Sequence, residues 1–159
     1  MLHLHVGPEM EHTVYEAELV GILLGMHLVG LEKYGSTSFV MGMDNQAVIK
    51  AFLSTLRNLG HHLAREILWM ANQIQKRRQK GDSKLTIQWT ARHEGIAGNK
   101  QVDHKAKRAT EGLISEKKTL LPYLRKPLLI NPAAVKCAHH KSLMKKWKRS
   151  CQRAESDVT

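Results

Sequence analysis

Three acids and one histidine in this 159-residue chain stand where such side chains can do chemistry. Glu18 lies in an apolar helical run, with Val14, Gly21, Ile22 and Gly25 as its neighbours on the helix face. Either that glycine-bearing stripe packs closely on another backbone, or Glu18 sits at the edge of the buried face and reaches water. Asp44 follows a short apolar run and opens a helix. Open α/β sheets bind ligands beyond the carboxyl ends of their strands, but Asp is equally common there as an N-cap. Asp103 falls in the first turn of a later helix, where the dipole suits a carboxylate. His93 stands on a glycine-bearing loop, Arg92 to Gly98, an exposed setting that suits proton transfer. The chain has 10 histidines, so a plain solvated loop histidine is the other reading. Clustered carboxylates are the ligands that hard divalent cations take.

The elements that must position these groups can be read from pattern. Leu2 to Val6 alternates apolar and polar, which predicts a short strand broken by Gly7-Pro8. Thr13 and Glu16 have the spacing of a capping box, and the helix they open runs to about Val29. Ser38 to Met43 reads as a buried strand, followed by a helix to about Leu59. A second, amphipathic helix spans about 62 to 80, with Ile67, Met70, Ala71 and Ile74 on one face. Leu85 to Thr90 alternates cleanly and predicts a strand. A helix from about Asn99 to Glu111 follows the loop. Pro122, Pro127 and Pro132 punctuate what reads as an extended linker, and a last helix covers about 133 to 152. Strands alternating with helices predict an α/β domain with at least one parallel pair.

Composition bounds the function. With 25 Lys plus Arg against 14 Asp plus Glu, the net charge is +11, and the pI near 9.9 points to a polyanionic partner. At 42% apolar, wholesale disorder is excluded. No apolar run approaches the ~20 residues of a membrane span, and the opening twelve residues do not read as a signal peptide. The expectation is therefore no membrane partner and an intracellular setting, nuclear or cytoplasmic. Cys137 and Cys151 both lie in the tail and give no disulfide framework. Between Lys136 and Arg153 there are seven Lys/Arg and no acid. Leu143 and Trp147, at i and i+4, either dock this helix on the core or leave it as an electrostatic arm.

The segments TVYEAEL (13–19), MDNQA (43–47) and WTARHEGIAGNKQVDHKAKRA (89–109) resemble ribonuclease H. The likeness is to the type 1 domains at the C-termini of reverse transcriptases of fungal non-LTR retrotransposons. It covers about residues 2–110, and the proline-punctuated, Lys/Trp-bearing tail is also similar. The resemblance implies an RNase H-like α/β fold over 1–112, a mixed sheet flanked by helices, with linker and basic helix over 113–159. It implies hydrolysis of the RNA strand of RNA–DNA hybrids by a two-metal Mg²⁺ site, with Mn²⁺ as a substitute. In it Glu18, Asp44 and Asp103 match metal ligands, and His93 matches the loop histidine that assists proton transfer or product release. Gln46 matches a residue that touches the hybrid's minor groove, and Asn45, Gln46 and Asn99 are the candidate substrate-binding residues, since short polar side chains suit 2′-hydroxyls in a wide minor groove.

The sequence also departs from the pattern. The family's first metal ligand is an Asp on a central first strand, and no Asp precedes Asp44 here. Arg92 and Lys100 stand where the family usually has Gly and Glu. Three of four carboxylates predict weak or absent hydrolysis, with a nucleic-acid-binding or strand-pairing domain as the alternative. The first two strands of the family's sheet have no counterpart. The strand ending at Asp44 is thus expected to pair with Leu2–Val6 or with a second copy of the chain.

Overall fold

The computed structural model describes residues 2–32, 38–43, 45–53, 61–78, 84–90, 104, 107–109, 112 and 114–156. Helix α1 (Val14–Leu31) leads to strand β1 (Phe39–Met43), helices α2 (Gln46–Leu53) and α3 (His61–Arg78), strand β2 (Leu85–Trp89), two 3₁₀ turns and helix α4 (Pro132–Ser156). His104 and residues 107–109 are also helical. Helices and a parallel strand pair make the chain broadly α/β, as expected.

Helix α1 begins as its sequence dictates. The Glu16 amide donates to Thr13 Oγ1 at 3.2 Å, and the Thr13 amide donates to Glu16 Oε2 at 2.9 Å, closing the capping box. Upstream, Gly7 has φ +126°, and a Cβ there would lie 2.6 Å from the His12 ring. Only glycine fits that turn, which seats His12 with its Nδ1 3.9 Å from Glu16 Oε2.

The core forms where α1 packs on α3. Leu19, Leu23 and Met26 face Leu63, Ile67, Met70 and Ile74, whose i, i+4, i+7, i+11 spacing puts them on one stripe. Burying each such side chain contributes about 1.5–3 kcal/mol. At 18 residues and mean hydropathy 1.5, α1 is long and apolar enough to cross a membrane by length and composition, contrary to the sequence expectation. Here its buried face is the centre of the core.

Strands β1 and β2 pair in parallel, Phe39 opposite Leu85 through Met43 opposite Trp89. A parallel pair needs a crossover, which α2 and α3 provide. Met41, Met43, Leu85 and Ile87 face the core. The opposite face is open, with Val40 63% exposed. The expectation of a buried strand is therefore corrected on this face. Among the described residues, helices lie against one side of this sheet.

Two further expectations change. Leu2–Val6 is not a strand. Its alternation still sends Leu2, Leu4 and Val6 onto the core. Its backbone, however, meets Ser115, with His3 N–H donating to Ser115 Oγ at 2.8 Å and Ser115 N–H to the His3 carbonyl at 2.9 Å. Internal pairing with β1 is thus absent among the described residues. Nor is the proline-punctuated segment extended. It folds into 3₁₀ turns at Lys117–Thr119 and Pro122–Arg125, and Leu120, Leu121 and Leu124 are buried in the core. Arg125 locks the turns together by donating to the carbonyls of Leu120 (2.9 Å) and Lys118 (3.0 Å).

Candidate functional site

The two motif-bearing segments leave the sheet side by side. Met43, the last residue of β1, lies opposite Trp89, the last of β2. The Thr90 amide donates to the Met43 carbonyl at 2.8 Å, so the residues preceding Asp44 and those preceding the His93 loop are joined at one carboxyl end. Gly42 permits this approach, since a Cβ there would sit 2.9 Å from Thr90 Cγ2. The carboxyl ends of parallel strands are where open α/β sheets place ligands.

Of the expected site residues, Glu18, Asn45 and Gln46 are described. Asp44, His93, Asn99 and Asp103 lie outside the described residues. Glu18 is half-buried, with its Oε2 shielded from water. It sits on the border between the buried Leu19 and Ile22 and the exposed Val14 and Gly21. Of the two readings the sequence left open for Glu18, the structure has the edge position. Among the described residues, a Cβ at Gly21 would meet nothing within 4 Å and one at Gly25 would meet the Met41 side chain. That last contact sets α1 beside β1, the strand that leads to Asp44.

Asn45 is half-buried, and its carbonyl accepts from the Ile49 amide at 3.4 Å. It therefore holds the N-cap position of α2, a role the sequence left open for Asp44. Gln46, the first helical residue, is exposed at the same carboxyl end of the sheet.

A carboxylate at the rim of an apolar helix is the donor type that suits a hard cation, so Glu18 fits a place in a metal-binding set. Among the described residues no group of three His, Cys, Asp or Glu side chains lies close enough to hold a metal.

The largest cationic feature is α4. Asn131, 4% exposed, caps it through Oδ1 to the Ala133 amide at 2.9 Å, while its own amide donates to the Glu11 carbonyl at 2.8 Å. Pro132 follows at the first helical position, where its missing N–H is harmless. Ala134 is buried, and Lys141 pairs with Glu9. That pairing holds the Glu9 carboxyl below, and raises the Lys141 ammonium above, its ordinary range. Beyond Ala138 every residue to Arg153 is exposed. Leu143 (50% exposed) and Trp147 (62%) do not dock the helix on the core, so its outer half projects as an arm. The sequence did not mark how far the arm stands clear. The run of seven Lys/Arg without an acid from Lys136 to Arg153 was its available signal.

Comparison with family models, with curated proteins and with solved structures returned no match.

Proposed function

We propose that this chain is a ribonuclease H-like domain that engages RNA–DNA hybrids and hydrolyses their RNA strand only weakly. One observation carries the reading: the two motif segments depart from adjacent strand ends, with Thr90 hydrogen-bonded to Met43. The motifs were linked by resemblance alone, and their junction at one sheet end is the arrangement a shared site requires. Glu18 at the rim of α1, and Gln46 exposed at the start of α2, support it.

Bound Mg²⁺ would neutralise phosphate charge and supply an activated water. Glu18, Asp44 and Asp103 would hold it. His93 would carry protons at the loop, and Asn45, Gln46 and Asn99 would contact the hybrid's sugars. The cations of α4 would hold the phosphate backbone. Within these 159 residues no Asp precedes Asp44, so the three carboxylates named here fall one short of the family pattern, and these residues alone would hydrolyse slowly.

The test is a labelled hybrid incubated with the full chain in Mg²⁺ and in Mn²⁺, with affinity measured in parallel. Binding with slow cleavage, lost in Asp44→Asn, is the expected result. Failure to bind hybrid at low salt would overturn the reading.

A second reading has its own observation. Among the described residues the sheet has two strands, so β1 has a ladder partner, β2, along one edge. An open strand edge recruits another strand, so β1 would pair with a second copy of the chain. Sedimentation at micromolar concentration should then report a dimer; a monomer removes this reading and leaves the first.

A further inference from the structure

The arm carries more than charge. On a helix of 3.6 residues per turn, Leu143, Met144 and Trp147 fall within an arc of about 100°, while Lys141, Lys145, Lys146, Lys148, Arg149 and Arg153 occupy the opposite side. All three apolar side chains are exposed, at 50%, 39% and 62%. Long-range phosphate attraction accounts for the lysines. It leaves a solvated tryptophan between Lys146 and Lys148 unexplained, because duplex phosphates have no use for an indole.

We propose that the arm binds single-stranded nucleic acid, with Trp147 as the platform on which a base stacks. The inference rests on the hybrid-engaging reading above and names a second strand class for it, the unpaired segment flanking a hybrid. Its chemistry is the pairing of an aromatic face with a cationic track, which holds single strands without reading their sequence. The size of the apolar patch selects this partner over others. Leu143 to Trp147 rises only about 6 Å along the helix axis, enough for one or two stacked bases. On the same arc the neighbouring turns offer Lys136, His140 and the small Cys151 rather than large apolar anchors. A helix lying in a membrane interface or a protein groove uses anchors over several turns. Cations directly opposite the patch, such as Lys145, would also face away from a flat lipid surface, whereas a flexible strand can wrap toward them.

The experiment measures affinity of the full chain for a labelled single-stranded oligonucleotide and for a labelled hybrid of equal length, by fluorescence anisotropy. Trp147→Ala should weaken single-strand binding about tenfold, within the range of one lost stacking contact, and leave hybrid binding unchanged. Trp147→Phe should recover most of the loss. Because Trp147 is largely solvated, circular dichroism should be unchanged in both variants. Equal losses on both ligands, or no loss on the single strand, would overturn the inference while leaving hybrid engagement intact. Loss of binding to phosphatidylserine vesicles with single-strand affinity preserved would also overturn it and assign the patch to lipid. Absence of all hybrid binding by the unaltered chain would instead count against the underlying reading.

Discussion

Helices α3 and α4 are built from similar materials and come to different ends. Each has an apolar stripe, and each is rich in cations. On α3 the stripe is long, Leu63, Ile67, Met70 and Ile74 over three turns, and all four are buried against α1. On α4 the stripe is short, and from His139 to Arg153 every residue is exposed. Apolar spacing thus identifies a face but not whether the face has a partner within the chain. Length of stripe and density of charge decide that. Ordering a helix against a core needs enough buried area to offset the entropy of its side chains, and three apolar residues among six cations do not supply it.

The contrast can be broken at its strongest point. Ile67→Ala should destabilise the fold by about 2–5 kcal/mol, as buried large-to-small changes do, whereas Leu143→Ala should stay within about 0.5 kcal/mol. Urea unfolding of the two variants checks this, and equal losses would show that α4 is packed in solution. Leu120→Ala sharpens the same comparison from the other side. The 3₁₀ segment belongs to the core, with Leu120 1% exposed, so its loss should also be about 2–5 kcal/mol.

A smaller effect concerns charge. Removing residues 142–159 should flatten the dependence of log affinity on log salt by about 3 to 4, from about four phosphates at 0.9 counterions each. An unchanged slope would move the phosphate contacts to the body of the domain. Smaller again, Thr13→Ala should cost about 1 kcal/mol through the capping box, readable in the same unfolding experiment.

The least effect lies at the root of the arm. The Glu9 carboxyl is held below its ordinary value by the Lys141 hydrogen bond and charge, so the folded state binds this proton less readily than the unfolded one. The contribution is present above the ordinary carboxylate value and fades as pH falls through the lowered one. Both groups are solvated, so the change is small. Glu9→Gln should reduce the acid dependence of arm docking, followed by hydrogen exchange across 133–141; an unaltered profile would remove the ion pair from the account.

Much of the frame was legible because its signals are local. The capping box of Thr13 and Glu16, the stripe of α3 and the alternation of β2 are each settled within a few residues. What escaped depends on distant partners. Leu2–Val6 alternates as a strand does, but its hydrogen bonds go to Ser115, which no local pattern reveals. Pro122 and its neighbours looked like spacer because proline breaks regular helix and sheet. A 3₁₀ turn with Pro at its first position tolerates proline, and Leu120 and Leu124 could then turn inward. For the site, spacing placed Glu18 on a helix face correctly but not on which side of the burial border. Asn45 took the cap that Asp44 was equally suited to hold.

The proposal most in need of a test is that Glu18, Asp44 and Asp103 would together bind a divalent cation. Thermal unfolding with and without millimolar Mn²⁺ tests it directly, because a ligand that binds only the folded state raises its melting temperature. The account predicts that Mn²⁺ stabilises the unaltered chain and that Glu18→Gln, Asp44→Asn and Asp103→Asn each abolish the shift. A shift that survives in any one of the three variants, or none in the unaltered chain, would contradict it.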